Sequence, residues 1–183
     1  MVADLANRTG RPVEVHTWDP ETNGYDDPTR SSGQGEPIVL WNGSASGKKG
    51  EYSLEHIESM APERPDLLVI NHGHNQINSG DATSETNKIA DWATTKWDIA
   101  PTIAVTLQNP SLGEREDRQA GVVRALRDYW SDQKNVVLID TWTAFEKSDD
   151  MEALLGGDKL HPSEAGSELW AETAWKALSL DSV

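Results

Sequence analysis

"PDLLVINHGHN" spans Pro65 to Asn75. An unbroken apolar run from Leu67 to Ile70 meets an abrupt polar end. A run this short and this apolar predicts a strand buried on both faces, the kind found in parallel sheets covered by helices. The polar end then marks a loop at the carboxyl edge of that sheet. Ligands of open parallel sheets bind at that edge. The chemistry-bearing residues are therefore expected just after the strands.

The flanking segments repeat the pattern. "PVEVHTW" (12–18), "PIVLW" (37–41), "TIAVTLQNP" (102–110) and "NVVLIDTWTAF" (135–145) read as further strands. Helical periodicity fills the gaps. "ADLANRTGR" reads as the tail of a helix stopped near Gly10. "EYSLEHIESMA" puts Leu54, Ile57 and Ala61 on one face, and "SETNKIADWATTKW" does so for Ile89, Trp92, Ala93 and Trp97. A helix over "REDRQAGVVRALRDYW" buries Val122, Leu126, Tyr129 and Trp130. The last begins near Ser163 and turns Leu169, Trp170, Ala174, Ala177 and Leu178 inward. Alternation of this kind defines an α/β fold with a central parallel sheet. Residues 19–36 interrupt it. They are rich in Asp, Pro, Gly and Ser, and read as a long acidic loop at the rim of a pocket. Asp19, Glu21, Asp26 and Asp27 lie in that loop without the spacing of an EF-hand.

Composition narrows the function. The 183 residues hold 31 acidic and 16 basic side chains, a formal net charge of −15. Such a surface repels nucleic acid and anionic lipid. No apolar run reaches membrane-spanning length, and no signal-peptide pattern opens the sequence as given. A leader further upstream would make the protein secreted. There is no Cys, which removes disulfides, thiolate metal sites and a Cys nucleophile. Nothing in the sequence calls for a cofactor. Eight Trp against one Phe must supply much of the aromatic bulk.

Three stretches satisfy the strand-end rule. "NGSASGKKG" (42–50) is a turn of small residues that lets backbone N–H groups approach a ligand. "NHGHNQ" (71–76) offers the Asn75 amide, with His72 and His74 two apart. In an extended chain those two imidazoles point the same way, which also suits a metal site completed by His161 and Asp158. "GDKLHPSEAG" (157–166) puts Asp158 and His161 at the entry to the last helix. A His with an orienting carboxylate is a general base with a fixed tautomer. A base pair, an amide donor and a Gly-bearing turn are the parts of an acyl-transfer site.

In order and spread, these blocks resemble the SGNH hydrolases, also called GDSL esterases and lipases. "NGSASG" is similar to the family's Gly block, with Gly47 at the matching position. "GHNQ" is similar to the G-x-N-D block, with Asn75 matching, and "DKLHP" to the D-x-x-H block, with Asp158 and His161 matching. The resemblance implies a three-layer α/β/α, flavodoxin-like fold in one domain spanning residues 1–183. It implies an ester hydrolase with His161 as base, Asp158 as its partner, and Gly47 and Asn75 as oxyanion donors. It requires no metal. Two departures stand out. Gln76 follows Asn75 where the family has Asp, a residue that supports the loop. The G-D-S nucleophile block is absent from the sequence, along with the first strand and part of the first helix that would carry it. An upstream Ser, a relocated Ser46 or Ser44, or a fold without hydrolysis would each account for this. Two other readings stay open. One is a metallohydrolase using His72, His74 and His161. The other is a binding module in which Trp18, Trp41 and the 19–36 loop hold a ligand without cleaving it.

Overall fold

The computed structural model describes residues 2–76 and 78–179. The chain divides into two compact units, one running to Arg64 and the other starting at Pro65.

The first unit opens with helix α1 (Val2–Thr9) and is organised around strand β1 (Val13–Asp19). Strand β4 (Ile38–Asn42) pairs with β1 in parallel, from Val13↔Ile38 to Thr17↔Asn42. Residues 19–36 differ from the expected loop. They fold back as two short strands, β2 (Gly24–Tyr25) and β3 (Thr29–Arg30), both antiparallel to β1. Asp19 starts the return by accepting from the Glu21 N–H at 2.8 Å and the Thr22 hydroxyl at 3.0 Å. Polar composition hides the strands because each pairs with β1 over two residues only, too few to show an alternating pattern.

The aromatic side chains of this unit pack on one another. Trp18 is 3% exposed and donates its indole N–H to the Tyr52 hydroxyl. His16 stacks on Trp41 at 3.9 Å, and Tyr25 meets Trp18 and Trp41 edge-on. Burial pushes the Tyr25 phenol up to about 12. Trp18 is thus core, which removes it from the ligand-holding surface considered above. The expected helix over 51–61 is two short ones, α2 (Gly50–Glu55) and α3 (Ile57–Met60), broken at His56.

The second unit is a parallel sheet in the order β5-β6-β7, formed by Leu67–Ile70, Thr102–Leu107 and Val136–Asp140. Helices α4 (Ser79–Lys96) and α5 (Glu116–Ser131) pack on each other and against β5 and β6. Helix α7 (Glu164–Ala177) packs on Ala104 and Ile139 through Ala174, with Trp170, Ala177 and Leu178 around them. Buried from Ile103 to Leu107, β6 has both faces covered. This is the layered α/β arrangement anticipated from the sequence. Two boundaries differ. Helix α4 starts at Ser79 because Asn78 caps it, accepting from the Asp81 N–H. Strand β7 stops at Asp140, whose side chain accepts from the Thr143 N–H and caps the short helix α6 (Thr141–Glu146). Strand β5 is also less buried than its composition suggests. It is an edge strand, and Val69 is 40% exposed.

The entry to α7 is fixed by close packing. Ser163 caps the helix by accepting from the Gly166 N–H, and its own hydroxyl donates to the Ala153 carbonyl. A Cβ on Gly166 would lie 2.0 Å from the Leu154 carbonyl oxygen and 3.2 Å from the Phe145 ring. Backbone cannot yield there as a flexible side chain would. Gly166→Ala is expected to cost about 1–3 kcal/mol by overpacking. Thermal unfolding followed by circular dichroism should show a midpoint lower by several degrees, at ~2–4 °C per kcal/mol for a chain of this size. An unchanged midpoint would show that the contact relaxes freely.

Candidate active site

The loop between α6 and α7 holds Asp158 and His161. A turn of 3-10 helix (Glu152–Leu154) leads into it. Its neck is closed by a bridge between Leu155 and Pro162 and by the Gly156 N–H donating to the His161 carbonyl at 2.7 Å. Inside the loop, one Asp158 oxygen accepts from the backbone N–H groups of Leu160 and His161, both at 3.0 Å. The other accepts from His161 Nδ1–H at 2.5 Å. The imidazole bond, followed by the two backbone bonds, holds the Asp158 carboxyl well below the usual carboxylate range. With Nδ1 carrying the proton, the Nε2 lone pair of neutral His161 is free to accept one. The His161 side chain is 71% exposed. Because Ser163 caps α7, neither Asp158 nor His161 is needed for that purpose.

Asn75 sits half-buried in the turn after β5. Its neighbours anchor that turn. Gln76 is 1% exposed and donates to Glu85 of α4 at 2.8 Å. The departure from the family's Asp is therefore met by a longer amide that reaches a helix. His74 donates its Nε2–H to the Asn109 carbonyl at 2.9 Å, since a carbonyl only accepts. Its backbone N–H donates to Gln108 Oε1 at 2.9 Å. Burial pushes His74 below its ordinary value; the Asn109 bond opposes this, and the charges of His161 and Arg115 add to it. His72 is lowered by burial against an opposing pull from Glu85.

Gly47 belongs to the first unit. It is exposed, at φ +72°, a backbone region that favours glycine, and no atom lies within 4 Å of where a Cβ would stand. Ser44 and Ser46 are exposed on the same turn.

The structure thus joins Asp158 and His161 directly and puts His74, beside Asn75, within electrostatic reach of His161. His72 and His74 do not make a metal set. Among the described residues no three His, Asp or Glu side chains converge as ligands, and His74 Nε2 is committed to a carbonyl. Sequence reasoning passed over Gln108 and Asn109, although their "QN" follows an apolar strand as directly as the three blocks it singled out.

Residues 17–169 match the model of the GDSL-like lipase/acylhydrolase family. The chain belongs to that family, a family of ester hydrolases. No curated protein matches it. Its fold is shared with a lipase/acylhydrolase from Enterococcus faecalis, at 18% identity and a TM-score of 0.68, over 79% of this chain and 76% of the other. A G-D-S-L family lipolytic protein from Veillonella parvula gives 19% identity and 0.65, over 79% and 81%. An acetylxylan esterase from Geobacillus stearothermophilus gives 17% and 0.65, over 78% and 72%. Among the described residues, no helix is long and apolar enough to cross a membrane.

The Asp158 shift has a definite sign. Its pKa is lowered in the folded state, so its stabilising contribution is present above the unfolded value and is lost as pH falls through the folded one. Carboxyl-carbon NMR should find Asp158 titrating well below the usual carboxylate range. In His161→Ala it should move up, because the first cause of the shift is gone. An Asp158 signal unmoved by that substitution would contradict the geometry.

Proposed function

We propose that this chain supplies the acid–base and oxyanion half of a serine-esterase site. That site cleaves a carboxylic ester of a lipid, a small acyl group or a carbohydrate. The observation that carries the proposal is the Asp158–His161 pair, with Nδ1–H bound to the carboxylate and Nε2 left free. In this reading His161 Nε2 takes the proton of a serine hydroxyl as its oxygen attacks the ester carbon. Asp158 stabilises the imidazolium that forms. The Gly47 N–H and the Asn75 side-chain amide donate to the oxyanion of the tetrahedral intermediate. His161 then returns the proton to the departing alcohol. Water attacks the acyl-serine by the same route and restores the free serine.

The nucleophile is assigned to a serine upstream of the present sequence. In support, the family's G-D-S block does not occur in these residues. Strands β4 and β5 are each edge strands, and each carries a valine about two-fifths exposed, Val39 and Val69. Ser46 and Ser44 are the local alternatives. The acetylxylan esterase among the structural neighbours makes acetylated sugars the first substrate class to assay.

The test is hydrolysis of p-nitrophenyl acetate and of acetylated xylo-oligosaccharides by the protein extended through its preceding sequence. Asn75→Ala should lower kcat by about 10²- to 10³-fold. Asp158→Asn should lose about 10⁴-fold through the wrong tautomer. His161→Ala should remove turnover while the circular dichroism spectrum is kept. Full activity in His161→Ala would end the assignment.

A further inference from the structure

Asp158 and His161 are largely exposed, so packing of their own side chains does little to hold them. Their position relative to the Asn75 turn must come from elsewhere. Residue Asn109, just past β6, is 2% exposed and touches both loops. Its carbonyl accepts from His74 Nε2–H and from Gln119 Nε2–H, each at 2.9 Å. Its side-chain amide donates to the carbonyls of Pro110 at 3.0 Å and Leu160 at 3.1 Å. Leu160 immediately precedes His161, and His74 immediately precedes Asn75. Gln108 works beside it. One amide oxygen accepts from the His74 N–H, and the nitrogen donates to the Asn71 carbonyl at 3.1 Å and side chain at 2.9 Å. The Leu112 N–H adds a second tie, to the Lys159 carbonyl, at 2.9 Å.

We propose that Gln108 and Asn109 are positioning residues that fix the Asn75 turn and the His161 loop to the end of the same strand. The proposal rests on the reading of His161 as base and Asn75 as oxyanion donor. The physical reason is rigidity. Strand β6 is paired on both sides and buried on both faces, so its end is the best-anchored point on that edge. Loops attached to it inherit its coordinates. Carbonyls left without the Asn109 amide would have to find water, and the loop would open.

A plain packing role predicts something different. Losing Asn109 would then lower stability without moving the two loops. Imidazole ¹⁵N and backbone amide NMR on the 183-residue chain separates the cases without any need for turnover. In the unaltered protein, His74 shows the Nε2–H tautomer and His161 the Nδ1–H tautomer. In Asn109→Ala, exchange of the amides of Leu160 and His161 should quicken by about tenfold or more as the loop opens locally. The His161 Nδ1–H resonance should broaden. Gln108→Met is the second variant, should Asn109→Ala fold poorly. It should shift the amides of His74 and Asn75 while leaving Leu160 less affected. Ile89→Val, a core change in α4, controls for lost stability and should move none of these signals. The proposal is overturned if Asn109→Ala or Gln108→Met lowers the melting point yet leaves these resonances as they were. Failure of ester hydrolysis in the extended protein would instead strike the functional reading and leave this geometry standing.

Discussion

Strand β6 bonds to a parallel neighbour on each side, and the second unit depends on that ladder. Parallel pairing sends the carboxyl ends of β5, β6 and β7 to one edge. The register from Ile70↔Val105 to Leu107↔Asp140 sets where each loop departs. From that edge come the Asn75 turn, the Gln108–Asn109 pair and the Asp140 cap. The loop bearing His161 leaves the sheet later, after α6, and is returned to the same edge by its bonds to Asn109 and Leu112.

Two kinds of imidazole result. Burial is the first cause that lowers the pKa of His72 and of His74. His161 stands in solvent, and its proton is placed by a carboxylate rather than by desolvation. The carboxylate, also open to water, has its pKa lowered further by its hydrogen bonds, first of all the one to His161. An acid–base pair governed by directional bonds keeps its tautomer without a dry pocket around it. The buried imidazoles suit a structural part, and the exposed one suits proton transfer to a group brought against it.

The sequence made some of this legible for plain reasons. Apolar runs such as Ile103–Val105 and the helical stripe of Val122, Leu126 and Trp130 stand out because burial is what they encode. Asp158 and His161 were visible because three-residue spacing and a following Pro-Ser helix start are local signals. The failures are equally physical. The strands of 19–36 pair with β1 over only two residues each, too short a span to show an apolar alternation. The break at His56 divides a pattern whose apolar period runs straight through it. Solvent at Val69 depends on what lies beside β5, not on β5 itself. Asn109 escaped notice because its partners, the His74 imidazole N–H and the Leu160 carbonyl, lie 35 and 51 residues away in the chain.

These residues are proposed to form the acid–base and oxyanion half of a serine hydrolase. The most direct measurement is intact-mass analysis after treatment with a fluorophosphonate, followed by mapping of the adduct. No adduct is expected on the folded 183-residue chain. One adduct is expected on the protein extended upstream, on a serine of the added sequence, and that labelling should be lost in His161→Ala. An extended, folded protein that takes no label, or takes it equally without His161, would contradict the account. An adduct on Ser46 or Ser44 of the present chain would contradict the upstream placement of the nucleophile.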